Sequence, residues 1–297
     1  MKREDRDTLI AMAVIVLVFA SGYACLHLYS GHNPYFSLVT SQSMQHDDHS
    51  SELGIIDTGD LVIVRDKSKI DIQTYLEGRM TGFKSFGDYG SVIIYSGDNG
   101  SSIIHRALLY LEVKEDSSGK YASISYLDSY PSWESAYSPG TELDPEMLRE
   151  DIVLNDLGYR GLDVKIDIAF ILSKTDAGVS GYVTMGDNNT ITDQSSFYGS
   201  DFVISGLVTD ERILSIPVSE IPWLGCFKLL LDGRGYIVEH HSPNSIPYLC
   251  VSALGMLFVL FSLYIFYIGY TIEKEKGVFD RKPPHPFIST GKEKQII

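Results

Sequence analysis

The chain has 297 residues, enough for one large globular domain or two small ones, and a formal net charge of −15. That acidity argues against nucleic-acid binding, which needs clustered basic charge. The 44% hydrophobic content is ordinary for a globular protein, but much of it falls in two runs without Asp, Glu, Lys or Arg.

In chain order, a short tail over 1–8 precedes the first apolar run, 9–29. At about 1.5 Å rise per residue such a run spans roughly 30 Å of hydrocarbon. The competing readings are a buried core helix and a cleaved signal peptide ending near Ala20-Ser-Gly-Tyr-Ala24-Cys25. A lipoprotein site there would want an aliphatic residue where the chain has Gly22, and the run is long for a signal segment. The middle, 30–246, is expected to be an extracytoplasmic, mainly β domain. A second membrane helix is expected at 247–271, and a charged, disordered tail at 272–297 containing Pro283-Pro284.

Lys and Arg in both flanks set the orientation. Lys2, Arg3 and Arg6 lie before the first run; Lys274, Lys276, Arg281, Lys282, Lys292 and Lys294 follow the second. Both tails therefore read as cytoplasmic and the middle as outside, in a multi-pass protein of the cell membrane or the endoplasmic-reticulum membrane. The last 26 residues carry six basic and four acidic groups and the first seven balance, which leaves −17 on the middle.

Strand-like runs fill that middle: 36–40, 60–64, 91–95, 103–111, 121–127, 163–171, 181–184 and 202–208. They are rich in Val, Ile, Tyr and Phe and are separated by Gly, Asp, Asn and Ser clusters, which predicts a sandwich- or barrel-like domain. Residues 144–158 are the best short-helix candidate, because Asp144 can cap and Pro145 fits a first turn. Residues 112–162 read as an insertion. Residues 221–231 are strongly apolar but too short to span, so they form either a buried element or a surface dipping into the lipid interface with Trp223 as anchor.

Cys25, Cys226 and Cys250 do not form a disulfide framework or a metal pair. His46-Asp47-Asp48-His49 reads as a solvated polar loop rather than a metal site, and His240 and His241 as interfacial. Asn99-Gly-Ser101 and Asn188-Asn-Thr190 match the glycan acceptor pattern.

The chemistry centres on Ser41-Gln42-Ser43-Met44, just beyond the first apolar run. A serine is a poor nucleophile unless a base takes its proton. Three further segments follow in order: Gly59-Asp60-Leu61-Val62-Ile63-Val64, Ile103-Ile104-His105-Arg106, and Gly186-Asp187-Asn188-Asn189 with Asp193. Each is a short pattern alone. Together, in this order behind an apolar run, they resemble signal peptidase I, specifically the archaeal and endoplasmic-reticulum branch that uses histidine where the bacterial branch uses lysine.

The resemblance implies a signal-peptidase-like β protease domain in which Ser43 is the nucleophile, His105 the base and Asp193 the acid orienting the imidazole. It implies that Ser41 helps the Ser43 amide hold the oxyanion and that Asp187 supports the site. It further implies endoproteolytic removal of signal peptides from secretory preproteins near the translocation channel, with small residues read one and three positions before the cut and no cofactor. The chain departs from the family in having His46 where Pro is common, a long polar segment over 45–52, and Met185 where Lys is common. Two alternatives stand beside this reading: a non-catalytic, membrane-anchored binding protein, whose mark would be a missing triad member, and a related peptidase specialised for pilin or surface-layer precursors.

Overall fold

Alternating branched residues fold the middle of the chain into sheets. In β2 (Leu61–Arg65), Val62 and Val64 point inward while their neighbours reach the surface, the period-2 burial of a strand with one covered face. A computed structural model describes residues 3–198 and 204–279. The strands are β1 (Phe36–Leu38), β2, β3 (Lys84–Ser85), β4 (Asp88–Tyr89), β5 (Val92–Ser96), β6 (Ser102–Asp116), β7 (Gly119–Ile124), β8 (Trp133–Ser135), β9 (Ile152–Leu157), β10 (Leu162–Ile166), β11 (Ser180–Met185) and β12 (Ile213–Ile221). The helices are α1 (Arg3–Ser30), α2 (Tyr75–Thr81), α3 (Ile168–Lys174), α4 (Leu224–Leu231), α5 (Gly235–His241) and α6 (Ser245–Phe279). The fold is mixed but mainly antiparallel sheet.

The principal sheet runs β1-β2-β12-β5-β6-β11, and β7 also pairs with β6. A three-stranded sheet has the order β10-β9-β8. The 15-residue β6 belongs to two neighbourhoods. Its first half pairs with β5, Ile93 opposite His105; its second half pairs with β7, Leu111 opposite Ile124. The chain leaves the principal sheet along that second half and returns through β11; β7 to β10 and α3, between them, make up a lobe that runs past 162. The lobe buries Leu111, Leu127, Ile152, Leu154, Val164 and Ile171 in one apolar cluster. A smaller cluster around Val39, Met44, Ile56 and Val62 lies beneath the Ser43 segment.

Several expectations are corrected. Residues 144–158 are not a helix. Asp144 makes one capped turn, its carboxylate accepting from the Glu146 amide, and the chain then enters β9. Ile152 and Leu154 alternate inward, so strand burial overrides the capping signal. The 163–171 run splits into β10 and α3, because the chain turns at Asp167. Of 202–208, residues 202 and 203 lie outside the described residues; the remainder is irregular, with one bridge from Val208 to Tyr182. Residues 221–231 end β12 and form α4.

The two apolar runs are helices longer than expected. α1 begins at Arg3, inside the predicted tail, and α6 continues to Phe279; residues 280–297 lie outside the described residues. The windows Met12–Ser30 and Ser245–Ile272, of mean hydropathy 1.9 and 2.4, are long and apolar enough to cross a membrane. The chain divides into two compact units, Met1–Leu249 and Cys250–Ile297. Within the first, the last turn of α1 is tied to the sheet: Ser30 donates to the Val64 carbonyl at 2.7 Å, and Lys69 donates to the Leu28 carbonyl at 2.7 Å. The second unit, as far as it is described, is the continuation of α6.

Candidate active site

Ser43 sits in the turn between β1 and β2, and its neighbour Met44 is fully buried in the cluster beneath the sheet. That anchor fixes the turn while the Ser43 side chain stays half-buried. Ser41 Oγ lies 3.2 Å from Ser43 Oγ. His105 is on β6, directly opposite Ile93 of β5, and is 7% exposed. Asp193 lies in the loop after β11, its amide donating to the Thr184 carbonyl at 2.9 Å.

These three segments meet. His105 Nδ1 hydrogen-bonds Asp193 Oδ2 at 2.7 Å. The other ring nitrogen, Nε2, faces Gly186: a Cβ on that glycine would come within 2.9 Å of Nε2 and collide with the Ser43 carbonyl. Gly186 is therefore the close-approach residue that lets the β11 loop pass between the Ser43 segment and the imidazole. The same loop holds Ser43 from the other side, the Asn188 amide donating to the Ser43 carbonyl at 2.9 Å. Ser41, Ser43 and His105 line one open cleft of about 260 Å³, bounded by residues 37–40 and by the start of β6.

Asp193 is over-determined. Besides His105, its Oδ2 accepts from the Tyr95 hydroxyl at 2.6 Å and from the Thr184 hydroxyl at 2.7 Å. Burial, with the adjacent Asp193 carboxylate, pushes the Tyr95 phenol well above its ordinary value, so it stays a donor. Gln194 then closes the network, accepting from the Thr184 amide at 2.9 Å. A carboxylate held this way fixes the tautomer and plane of the imidazole.

Asp187 has other partners than His105 and Asp193. It is the counter-ion of Arg106, which is 1% exposed and donates to both carboxylate oxygens at 2.8 and 2.6 Å. Burial works to raise the Asp187 carboxyl, but Arg106 and His46 overcome it and hold the group below the usual carboxylate range. Arg106 also donates to the carbonyls of Ser85 and Gly90 at 3.0 and 2.9 Å, so the pair ties the β3–β4 hairpin to the β11 loop.

His46 corrects another expectation, for it is not a solvated loop residue. Its Nε2 is 3.1 Å from Asp187 Oδ2, and its ring stacks on Tyr159 at 3.8 Å between centroids. Tyr159 and Arg160 form the tip of the β9–β10 hairpin in the lobe. Arg160 donates to the Asn188 carbonyl and side chain at 3.0 and 2.8 Å. The lobe thus clamps both the segment after Ser43 and the loop bearing Asp187. The Asn188 side chain also bonds Asp48 at 3.0 Å, so this half of the glycan-pattern pair is engaged.

The sequence gives no sign of Tyr95, Thr184, Tyr159 or Arg160. Arg106 and Gly186 stand in the quoted segments, beside His105 and Asp187, but without the roles described above. Among the described residues no group of three or more His, Cys, Asp or Glu side chains has the geometry to hold a metal ion. No family model, curated protein or solved structure matches the chain.

Proposed function

We propose that the chain is a membrane-anchored serine endopeptidase of the signal peptidase I type, acting on secretory preproteins. One observation supports this reading: His105 Nδ1 lies 2.7 Å from Asp193, its Nε2 faces Gly186 beside the Ser43 carbonyl, and Ser43 and His105 line one cleft. In the proposed reaction His105 Nε2 takes the proton of Ser43 Oγ as the oxygen attacks the scissile carbonyl. Asp193 keeps Nδ1 protonated and steadies the imidazolium. The imidazolium then protonates the leaving amine, and a water, activated by the same nitrogen, releases the acyl-enzyme. The Ser43 amide and the Ser41 hydroxyl are the candidate oxyanion donors; loss of one such donor typically costs about 3 kcal/mol of barrier.

The cleft also suits an extended peptide. β1 is the outer strand of the principal sheet, and a substrate strand laid along 37–41 would present alternate side chains to one wall of the cleft. Two long apolar helices suit an enzyme whose substrates emerge at a bilayer. The test is mass spectrometry of a preprotein incubated with the purified full-length protein in detergent. A single cut after a small residue, abolished in Ser43→Ala, is expected. An intact preprotein under conditions where the protein is folded would contradict the reading.

A further inference from the structure

An amphipathic helix packed on a domain shows one apolar and one polar side; a helix apolar all round is normally buried or in lipid. α4 breaks this expectation. On one side Gly225, Cys226 and Leu229 are buried: a Cβ at Gly225 would strike Leu38, and Cys226 and Leu229 pack with Val238. On the opposite side Leu224, Phe227, Leu230 and Leu231 point outward, Phe227 59% and Leu231 72% exposed. Tyr236 of α5, 67% exposed, extends the patch. Lys228 and Arg234 are its exposed cations, balanced by exposed Asp232 and Glu239, in a middle region whose charge is otherwise strongly negative.

The chain's own path says what covers this face. α5 ends at His241, and α6 begins at Ser245. The first turn of α6 is fixed on the same corner, Ile246 and Leu249 packing on Cys226, Leu229 and Val238, and Trp223 against Tyr248 at 5.1 Å. The charge-free run long enough to span a bilayer therefore departs from the α4–α5 corner itself. α1 enters at the other end of the β1–β2 pair, where Ser30 meets Val64, about 10 Å away along three residues of strand.

We propose that the α4–α5 hairpin is an interfacial membrane-docking face: Leu224, Phe227, Leu230, Leu231 and Tyr236 rest among headgroups and upper acyl chains, with Lys228 and Arg234 at phosphate level. This goes beyond the proposed reaction and does not depend on it. It does have a consequence for the Ser43 segment, because α5 touches that segment directly. His241 Nδ1 bonds Gln42 Oε1 at 2.8 Å, and Gln45 donates to the His241 carbonyl at 3.1 Å. A hairpin seated in the interface holds the cleft at the bilayer surface.

The test uses full-length protein in phosphatidylcholine vesicles, with or without anionic phosphatidylglycerol. The indole is introduced by Phe227→Trp, or by Leu231→Trp if the first does not fold. The reference is Tyr137→Trp, at a residue 63% exposed in the 112–162 lobe. Lipids brominated near the headgroup should remove at least about twice the fraction of the added emission at 227 that they remove at 137, and more than lipids brominated at the chain end, as expected for a face lying 5–10 Å into the boundary. Equal lipid quenching at both positions, with full access of aqueous iodide to 227, would overturn the proposal. Emission at 227 shielded from both lipid bromine and iodide would also overturn it, in favour of a protein partner or a second copy.

Discussion

The lobe of β7 to β10 and the sheet edge around Ser43 are built from opposite materials. The lobe is a dry cluster in which Leu111, Leu127, Ile152, Leu154 and Val164 are each less than 1% exposed. Around Ser43, above the small Met44 cluster, a dense set of polar groups is also buried: Gln45, Asp57, Asp60, His105, Arg106, Thr184, Asp193 and Gln194. Apolar burial stabilises the lobe without directional demands. Buried polar groups cost stability unless paired, but a satisfied network locks one geometry. Asp193, with three donors on one oxygen, is locked; Asp57 Oδ1 and Glu220 Oε2, buried without a partner, show where the same region falls short. The contrast teaches that stability and precision reside in different places, joined by long β6 and by the Tyr159–Arg160 tip.

The largest effect should come from breaking the polar half. Asp193→Ala removes the group that orients His105, and cleavage by the folded fraction should fall by about 10³- to 10⁴-fold, with a loss of stability beside it because the Tyr95 and Thr184 hydroxyls lose their acceptor. Turnover within a few-fold of wild type would remove Asp193 from the mechanism. The lobe should behave in reverse. Leu154→Ala leaves a cavity in the dry cluster and should cost about 2–5 kcal/mol in denaturant unfolding, with the folded fraction cleaving at the wild-type rate.

How far these two halves could be read in advance differs for physical reasons. Ser43, His105 and Asp193 could be singled out because each lies in a short local pattern, and the fold brings His105 against Asp193 and onto the cleft that Ser43 lines. Tyr95 and Thr184 were not. Tyr95 reaches Asp193 only because β5, β6 and β11 lie side by side, and nothing local to Tyr95 marks that pairing. The strands were legible where branched residues alternate, as in β2. They failed at Asp144-Pro145, where a genuine helix-start signal produces a single turn before β9. They failed again at Asp167, whose carboxylate is spent on Ser196 of the segment following Asp193, accepting from its amide at 2.9 Å. His46 looked solvated because its partners, Asp187 and Tyr159, are more than 100 residues away in sequence.

The junction between the halves offers a smaller, sharper probe. Tyr159→Ala removes the stack on His46 and should lower the cleavage rate about 3- to 10-fold, while the half-exposed site leaves unfolding nearly unchanged. Tyr159→Phe keeps the ring and should restore the rate. A purely structural role for Tyr159 would instead appear as a loss of stability with an unaltered rate.

A separate effect is a slope with pH. Burial raises the carboxyls of Asp57 to about 6, Glu220 to about 7 and Asp60 to about 8. The folded chain therefore holds protons that the unfolded chain releases near pH 4. The stability linked to these groups is fully present below that value and is lost as pH rises through 6 to 8. The melting temperature should decline between pH 5 and pH 8.5, and Glu220→Gln should flatten part of the decline. A melting temperature that rises across that window would contradict the assignment.

The central claim is that Ser43 and His105 act as one catalytic unit. Single-turnover cleavage of a preprotein should be compared for the wild type, Ser43→Ala, His105→Ala and the double variant, each checked for folding by circular dichroism. The account predicts that each single variant loses nearly all cleavage and that the double variant is no worse, because removing either partner disables the other. A His105→Ala protein that cleaves near the wild-type rate would contradict it.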